Sequence, residues 1–188
     1  MKIATVVLES VSPYSQSRNH NTPKKPKEAD GDYRERTWRE SSHVNELGHV
    51  VIPAMSLKNC LSEAAKYLAI QIPGKGKCTY TKNIEAGILV LEDADTKIPI
   101  ADVMPEKLFL PSDGRRGSGK RVWKIYPVMT AWKVTAIFHI VDETITEDVF
   151  RTHLEQAGQF IGIGRWRPRN NGIYGRFKVI SVKWEDAA

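Results

Sequence analysis

Residues 132–160 change their hydrophobic period once, from two to about 3.6, which limits the chain to folds in which a helix packs back on the strand before it. Trp132, Val134, Ala136, Phe138 and Ile140 alternate and share one face of a strand. Thr144 and Glu147 then match a capping box. Val149, Phe150, Leu154, Ala157 and Phe160 form the buried stripe of a helix that runs to about Phe160. The same logic holds near the start. Ile3-Ala4-Thr5-Val6-Val7-Leu8 is a β-branched run and predicts a strand. A helix from about Ser56 to Ala69 carries Leu57, Cys60, Leu61, Ala64, Ala65 and Leu68 at helical spacing, with Ser56 as its N-cap and Pro73-Gly74 as its stop.

Further strands are predicted at 78–84, 87–91, 122–126 and 176–184, while Pro99 and Pro105 limit any long element between Ile98 and Leu110. Residues 10–48 show no sustained apolar period and predict a long insertion after the first strand, with a short strand or arm at Thr37–Ser41. The order is strand, insertion, helix, strands, helix, strand. It predicts an α+β fold of the split βαβ kind, a modified ferredoxin-like or RRM arrangement with extra strands. One sheet face is then free of helices. The 188 residues suit a single domain, 1–188, with a loop or arm at 12–48 and a basic loop at 111–121.

The net charge is +6, and its placement is uneven. Arg115, Arg116, Lys120, Arg121 and Lys124 fall in one acid-free stretch, and Arg165, Arg167, Arg169, Arg176 and Lys178 in another. That pattern favours a polyanionic partner. Cys60 and Cys78 have no metal-type spacing, and no cofactor or metal site is expected. The N-terminus lacks a signal-peptide pattern and no apolar run has the length of a membrane span, so a soluble, cytoplasmic protein with no membrane partner is expected.

The second basic stretch has the most specific chemistry. In residues 162–177, Gly162, Gly164, Gly172 and Gly175 alternate with Arg165, Arg167, Arg169 and Arg176, and Trp166, Tyr174 and Phe177 lie among them. Glycine allows close backbone approach. Arginine fits phosphate oxygens with a planar fork, and flat rings take bases. The combination suits a groove for single-stranded nucleic acid. The plainer reading is a solvated basic loop between a helix and a strand.

Two motifs resemble the RAMP superfamily, which includes backbone subunits of CRISPR effector complexes. One is Val51-Ile52-Pro53-Ala54-Met55-Ser56-Leu57-Lys58-Asn59-Cys60-Leu61-Ser62-Glu63-Ala64-Ala65, similar to the segment that opens that superfamily's first helix. The other is the glycine-rich loop at 162–176, close to the C-terminus and followed by a strand. The resemblance implies an RNA-binding, RRM-type fold that needs no cofactor. It implies that Ser56 and Lys58 stand at a helix N-terminus, where free amides favour a phosphate. Copies of the chain itself, or effector-complex subunits, are implied as partners.

Gly114-Arg115-Arg116-Gly117-Ser118-Gly119-Lys120-Arg121 nearly spells a P-loop, but Arg121 stands where magnesium needs Ser or Thr, and a strand is predicted to follow. A basic clamp is the better reading. His20 and His43 are candidates for a general acid or base, His20 lying beside Arg18. The resemblance adds Asp30 and Asp32, since some RAMP subunits cleave RNA with an aspartate after the first strand. The alternative for that pair is a turn around Gly31. Lys24, Lys25 and Lys27, between Pro23 and Pro26, suggest a basic arm that orders on binding. The leading expectation is non-catalytic binding of single-stranded nucleic acid, RNA preferred. The alternatives are an endoribonuclease on the same fold and a protein-interaction module that mimics a backbone subunit. The residues expected at the interface are Arg18, Ser56, Lys58, Arg115, Arg116, Lys120, Arg121, Gly162, Gly164, Arg165, Trp166, Arg167, Arg169, Tyr174 and Arg176.

Overall fold

A computed structural model describes residues 1–112, 117 and 119–187. In chain order the elements are β1 (Lys2–Ser10), β2 (Tyr14–Ser15), α1 (Asp30–Thr37), β3 (His49–Ile52), α2 (Ala54–Leu68), α3 (Thr81–Gly87), β4 (Ile88–Leu89), β5 (Ala94–Pro99), β6 (Met104–Pro111), β7 (Arg121–Met129), β8 (Lys133–Ile140), α4 (Glu147–Gln156) and β9 (Phe177–Asp186). The main sheet is antiparallel with strand order β4-β8-β1-β9. β2, β7 and β6 form a second sheet, and β3 pairs with β5.

Alternation decides which face of the main sheet is buried. Ala4, Val6 and Leu8 of β1 and Val134, Ala136, Phe138 and Ile140 of β8 point into one core with Leu57, Cys60, Leu61 and Ala64 of α2 and Phe150 and Leu154 of α4. Phe138 and Phe150 meet edge to face at 5.1 Å, an arrangement that adds about 1 kcal/mol beyond area burial. The Cys60 thiol lies 3.6 Å from the Ala157 carbonyl, and burial pushes its pKa up to about 12. The other face carries Ile3, Thr5, Val7, Ile137 and His139, all only partly covered.

The structure corrects several expectations. The insertion is not a structureless loop: it contains β2, α1 and a 3-10 turn at Trp38–Ser41. α1 buries only Thr37, so it has no apolar stripe to read. Its support is charge. Asp30 and Asp32 lie in the first turn, rather than in a free-standing turn, and Arg34 and Arg36 lie in the last, which suits the helix dipole. The expected basic arm is folded onto this helix, with Lys24 paired to Asp30 and Arg36 to Glu28.

Residues 81–87 form a helix where 78–84 predicts a strand. Ile84 is fully buried there, and Lys58 bonds the carbonyls at the helix end. Ser56 is not the cap of α2: the helix begins at Ala54, whose amide donates to Asp93 Oδ1 at 2.8 Å. Ala69, in the left-handed region, ends it before Pro73-Gly74. Thr146 rather than Thr144 caps α4; Thr144 bonds the Asp142 carboxylate instead. α4 stops at Gln156 and passes into a π turn, Ala157–Ile161. The wider turn rotates Phe160 off the buried stripe and onto the surface. Among the described residues, no helix is long and apolar enough to cross a membrane.

Candidate nucleic-acid interface

The glycine-rich segment is a compact loop fastened to β2. The Arg165 amide donates to the Ser15 carbonyl at 2.9 Å, and the Gly175 amide to the Pro13 carbonyl at 2.7 Å. Gly164 has φ +76° and lies so close to the Tyr14 ring and the Ser15 carbonyl that a Cβ would overlap both. Glycine is therefore needed here for close packing of the chain on itself.

The loop, β2 and the start of α2 enclose a cleft of about 430 Å³, lined by Tyr14, Gln16, Ser17, Arg18, His43, Pro53, Ser56, Gly164, Arg165, Trp166 and Asn170. Five of the expected interface residues meet here: Arg18, Ser56, Gly164, Arg165 and Trp166. His43 joins them. No carboxylate is among the described residues lining the cleft.

Arg165 is built into the wall. Its side chain is 8% exposed and pairs with Glu106 of β6. Its guanidinium lies 4.0 Å from the Tyr126 ring centroid and 4.5 Å from that of Trp166. Nε donates to Ser15 Oγ at 3.1 Å, while Nη1 is buried with no hydrogen-bond partner among the described residues. Such a donor is costly unless something accepts from it. Trp166 is 41% exposed, so one aromatic surface backed by a guanidinium remains open. The Tyr174 hydroxyl donates to Glu106, and that bond raises its pKa. Burial and the Arg18 charge lower the His43 pKa, with Asp93 opposing them.

The remaining expected residues lie elsewhere. Lys58 does not face the cleft; Nζ donates to the Ile84 and Glu85 carbonyls at 2.7 and 2.8 Å and to Ser62 Oγ at 3.2 Å. Desolvation lowers its pKa. Arg167 pairs with Glu63 at 2.7 Å, and Arg169 lies 3.8 Å from the same carboxylate. Gly162, φ +70°, packs against Pro168 and does not line the cleft. Arg176 lines a separate hollow with Val11, Glu155 and Phe177. Lys120 and Arg121 stand at the exposed end of the β6–β7 hairpin, leading into a strand and not into the helix a P-loop requires. Arg115 and Arg116 lie outside the described residues. His20 stacks on Tyr33 at 6.2 Å, and Asp30 and Asp32 sit on α1. Of the four catalytic candidates, only His43 lines the cleft. Among the described residues, no cluster of His, Cys, Asp or Glu could hold a metal ion.

Sequence reasoning missed the acids. Glu106 and Glu63 are separated from their arginines by 59 and 104 residues. The stretch that is acid-free along the chain is thus partly neutralised in space. Gln16 was missed too: it donates to the Val51 carbonyl at 2.7 Å and accepts from the His43 amide at 2.6 Å, fixing the cleft's far side. No local pattern announces these partners.

No protein-family model matches the sequence, and no curated protein matches it. Among solved structures, the chain is similar to one from the "Cryo-EM structure of the Type III-B Cmr-beta bound to cognate target RNA", at 12% identity and TM-score 0.54, covering 100% of this chain and 61% of that one. It is also similar to the one in "Crystal structure of Cmr6 from Pyrococcus furiosus", at 13% identity and TM-score 0.50, covering 95% of this chain and 99% of that one. The chain therefore spans about three-fifths of the first structure's chain and nearly all of the second's. At these identities the likeness is one of fold: a mixed α and β architecture built on antiparallel sheets.

Proposed function

We propose that the chain binds single-stranded nucleic acid, RNA in preference to DNA, without cutting it, as a subunit similar to those of the CRISPR effector backbone or as a stand-alone relative. The observation that carries this reading is the convergence in one cleft of Arg18, Ser56, Gly164, Arg165 and Trp166, drawn from three distant parts of the sequence. Arg18 and Arg165, which both line the cleft, would supply the positive charge that a phosphate takes. The open surface of Trp166 would take a base. Strand order β4-β8-β1-β9, with α2 between β1 and β4 and α4 between β8 and β9, supports the ferredoxin-like reading of the scaffold. The Cmr-beta structure was determined with cognate target RNA, which supports an RNA ligand here.

His43 favours a second reading, an endoribonuclease. A histidine kept neutral beside an arginine suits a general base for a ribose 2′-hydroxyl. One experiment separates the two. Anisotropy of a labelled RNA of about 30 nucleotides, its DNA counterpart and a duplex would be titrated over salt, and each sample run on a denaturing gel. Tight RNA binding with a steep salt slope and intact RNA supports the binder. Shortened RNA, abolished by His43→Ala, moves the nuclease to first place. No binding to any of the three overturns both and directs attention to a protein partner.

A further inference from the structure

Beyond the cleft, two arginines converge on one carboxylate. Arg167 donates to Glu63 Oε1 at 2.7 Å, and Arg169 lies 3.8 Å from Oε2. They border a depression of about 540 Å³ lined by Glu63, Lys66, Tyr67, Arg167, Arg169 and Asn170. Asn170 also lines the cleft, so the two hollows are neighbours on either side of the Pro168–Asn170 turn.

At the same place Tyr67 and Phe160 pack on each other, with ring centroids 5.7 Å apart, on the outside of the protein. They are 58% and 40% exposed. Phe160 is there because the π turn carries it off the core face. Two exposed rings, tilted 40° to each other, beside an arginine pair match a base with its phosphate. The described lining residues include three cations, of which Lys66 is paired with Glu85, and one carboxylate, which favours an anion; the exposed rings beside them favour a base with its phosphate over the side chains of an acidic peptide.

We propose that this depression is a second nucleotide subsite, adjacent to the first. A base stacks on the Tyr67–Phe160 pair, and its phosphate takes Arg167 and Arg169 in exchange for Glu63. The carboxylate acts as a resident counter-ion that holds the arginines in place until the strand arrives. The proposal rests on the reading of the cleft as a nucleic-acid site and extends the strand's path along the outer face of α2.

The test is the affinity for labelled oligouridylates of about two and about twelve nucleotides, the first below and the second within the ordinary range of single-strand site sizes. The short one occupies the cleft alone; the long one reaches both hollows. Tyr67→Ala/Phe160→Ala is expected to lose about tenfold or more on the long oligomer and nothing on the short one. Tyr67→Phe keeps the ring and the affinity. Glu63→Gln frees both arginines, so it raises affinity for the long oligomer and steepens its salt dependence. Wild-type affinity of the double variant for the long oligomer, together with a loss on Trp166→Ala, would overturn the second subsite and leave the cleft reading standing. An equal loss on both oligomers would also overturn it, because the rings would then act through the fold. If the wild-type protein bound neither oligomer, the subsite and the reading beneath it would fall together.

Discussion

Glu106→Ala strands a guanidinium. Arg165 is 8% exposed and Glu106 24%, and the same carboxylate also accepts from the Tyr174 hydroxyl. Removing one partner of a buried pair costs about 3–5 kcal/mol, because the remaining charge stays desolvated. Two features lower that figure. Glu106 is partly open to water, and the Tyr126 and Trp166 rings lie 4.0 and 4.5 Å from the guanidinium. A loss of about 2–4 kcal/mol follows. In a domain of this size each kcal/mol moves Tm by about 2–4 °C, so a drop of roughly 4–16 °C is expected. Urea unfolding measures it directly, and an unchanged m-value would confirm that the native and denatured states kept their compactness. Glu106→Gln keeps an acceptor for Tyr174 and should lose less. Glu106→Leu combined with Arg165→Met removes both charges and should recover most of the loss. RNA should raise the Tm of Glu106→Ala more than that of the wild type, since a phosphate supplies the missing counter-charge. A loss under about 1 kcal/mol would refute the reasoning, because that is the worth of a solvated surface pair.

Gly164→Ala introduces a Cβ at φ +76° against the Tyr14 ring and the Ser15 carbonyl; a loss of roughly 2 kcal/mol or more is expected in urea unfolding. Lys58→Met leaves the Ile84 and Glu85 carbonyls without their donor and should cost about 1–3 kcal/mol, with RNA affinity unchanged. A loss of affinity at unchanged stability would instead place Lys58 at the ligand. Burial lowers the pKa of both His43 and His153 in the folded protein. The unfolded chain therefore binds more protons around and below the ordinary histidine value of 6.5, and stability falls as pH drops from there through the folded-state values. His153→Gln should flatten that fall in a pH series of thermal melts; an unchanged slope would show that His153 takes no part.

The two long helices and most of the main sheet were legible because each buries one face. Leu57, Cys60, Leu61 and Ala64 recur at helical spacing, and Val134, Ala136, Phe138 and Ile140 alternate, so the solvent contrast is written in the order of residues. α1 and α3 were not legible. α1 shows no apolar stripe and rests on charge. α3 is too short to display a period, and the donor for its end carbonyls, Lys58, comes from another helix. The misread caps, Ser56 three residues after the N-cap Pro53 and Thr144 two before the N-cap Thr146, are places where a nearby hydroxyl fits the pattern equally well. The tertiary structure chose Asp93 and Thr146 there.

The candidate site divides along the same line. Glycine, arginine and tryptophan in one short stretch announce close packing, charge and a flat ring, since those properties belong to the residues themselves. Which arginine faces a ligand does not. Arg165 and Arg167 are alike in sequence, yet Arg165 lines the cleft with an unpartnered donor while Arg167 holds Glu63 beyond it. Sequence alone determined the mixed α and β layering, the alternating core strands and the presence of a basic, glycine-rich loop. Only the tertiary structure decided where that loop's charges go. Electrostatic partners are chosen by distance in space, and the acids that matter, Glu63 and Glu106, come close only when α2 and the β6–β7 hairpin fold against the loop.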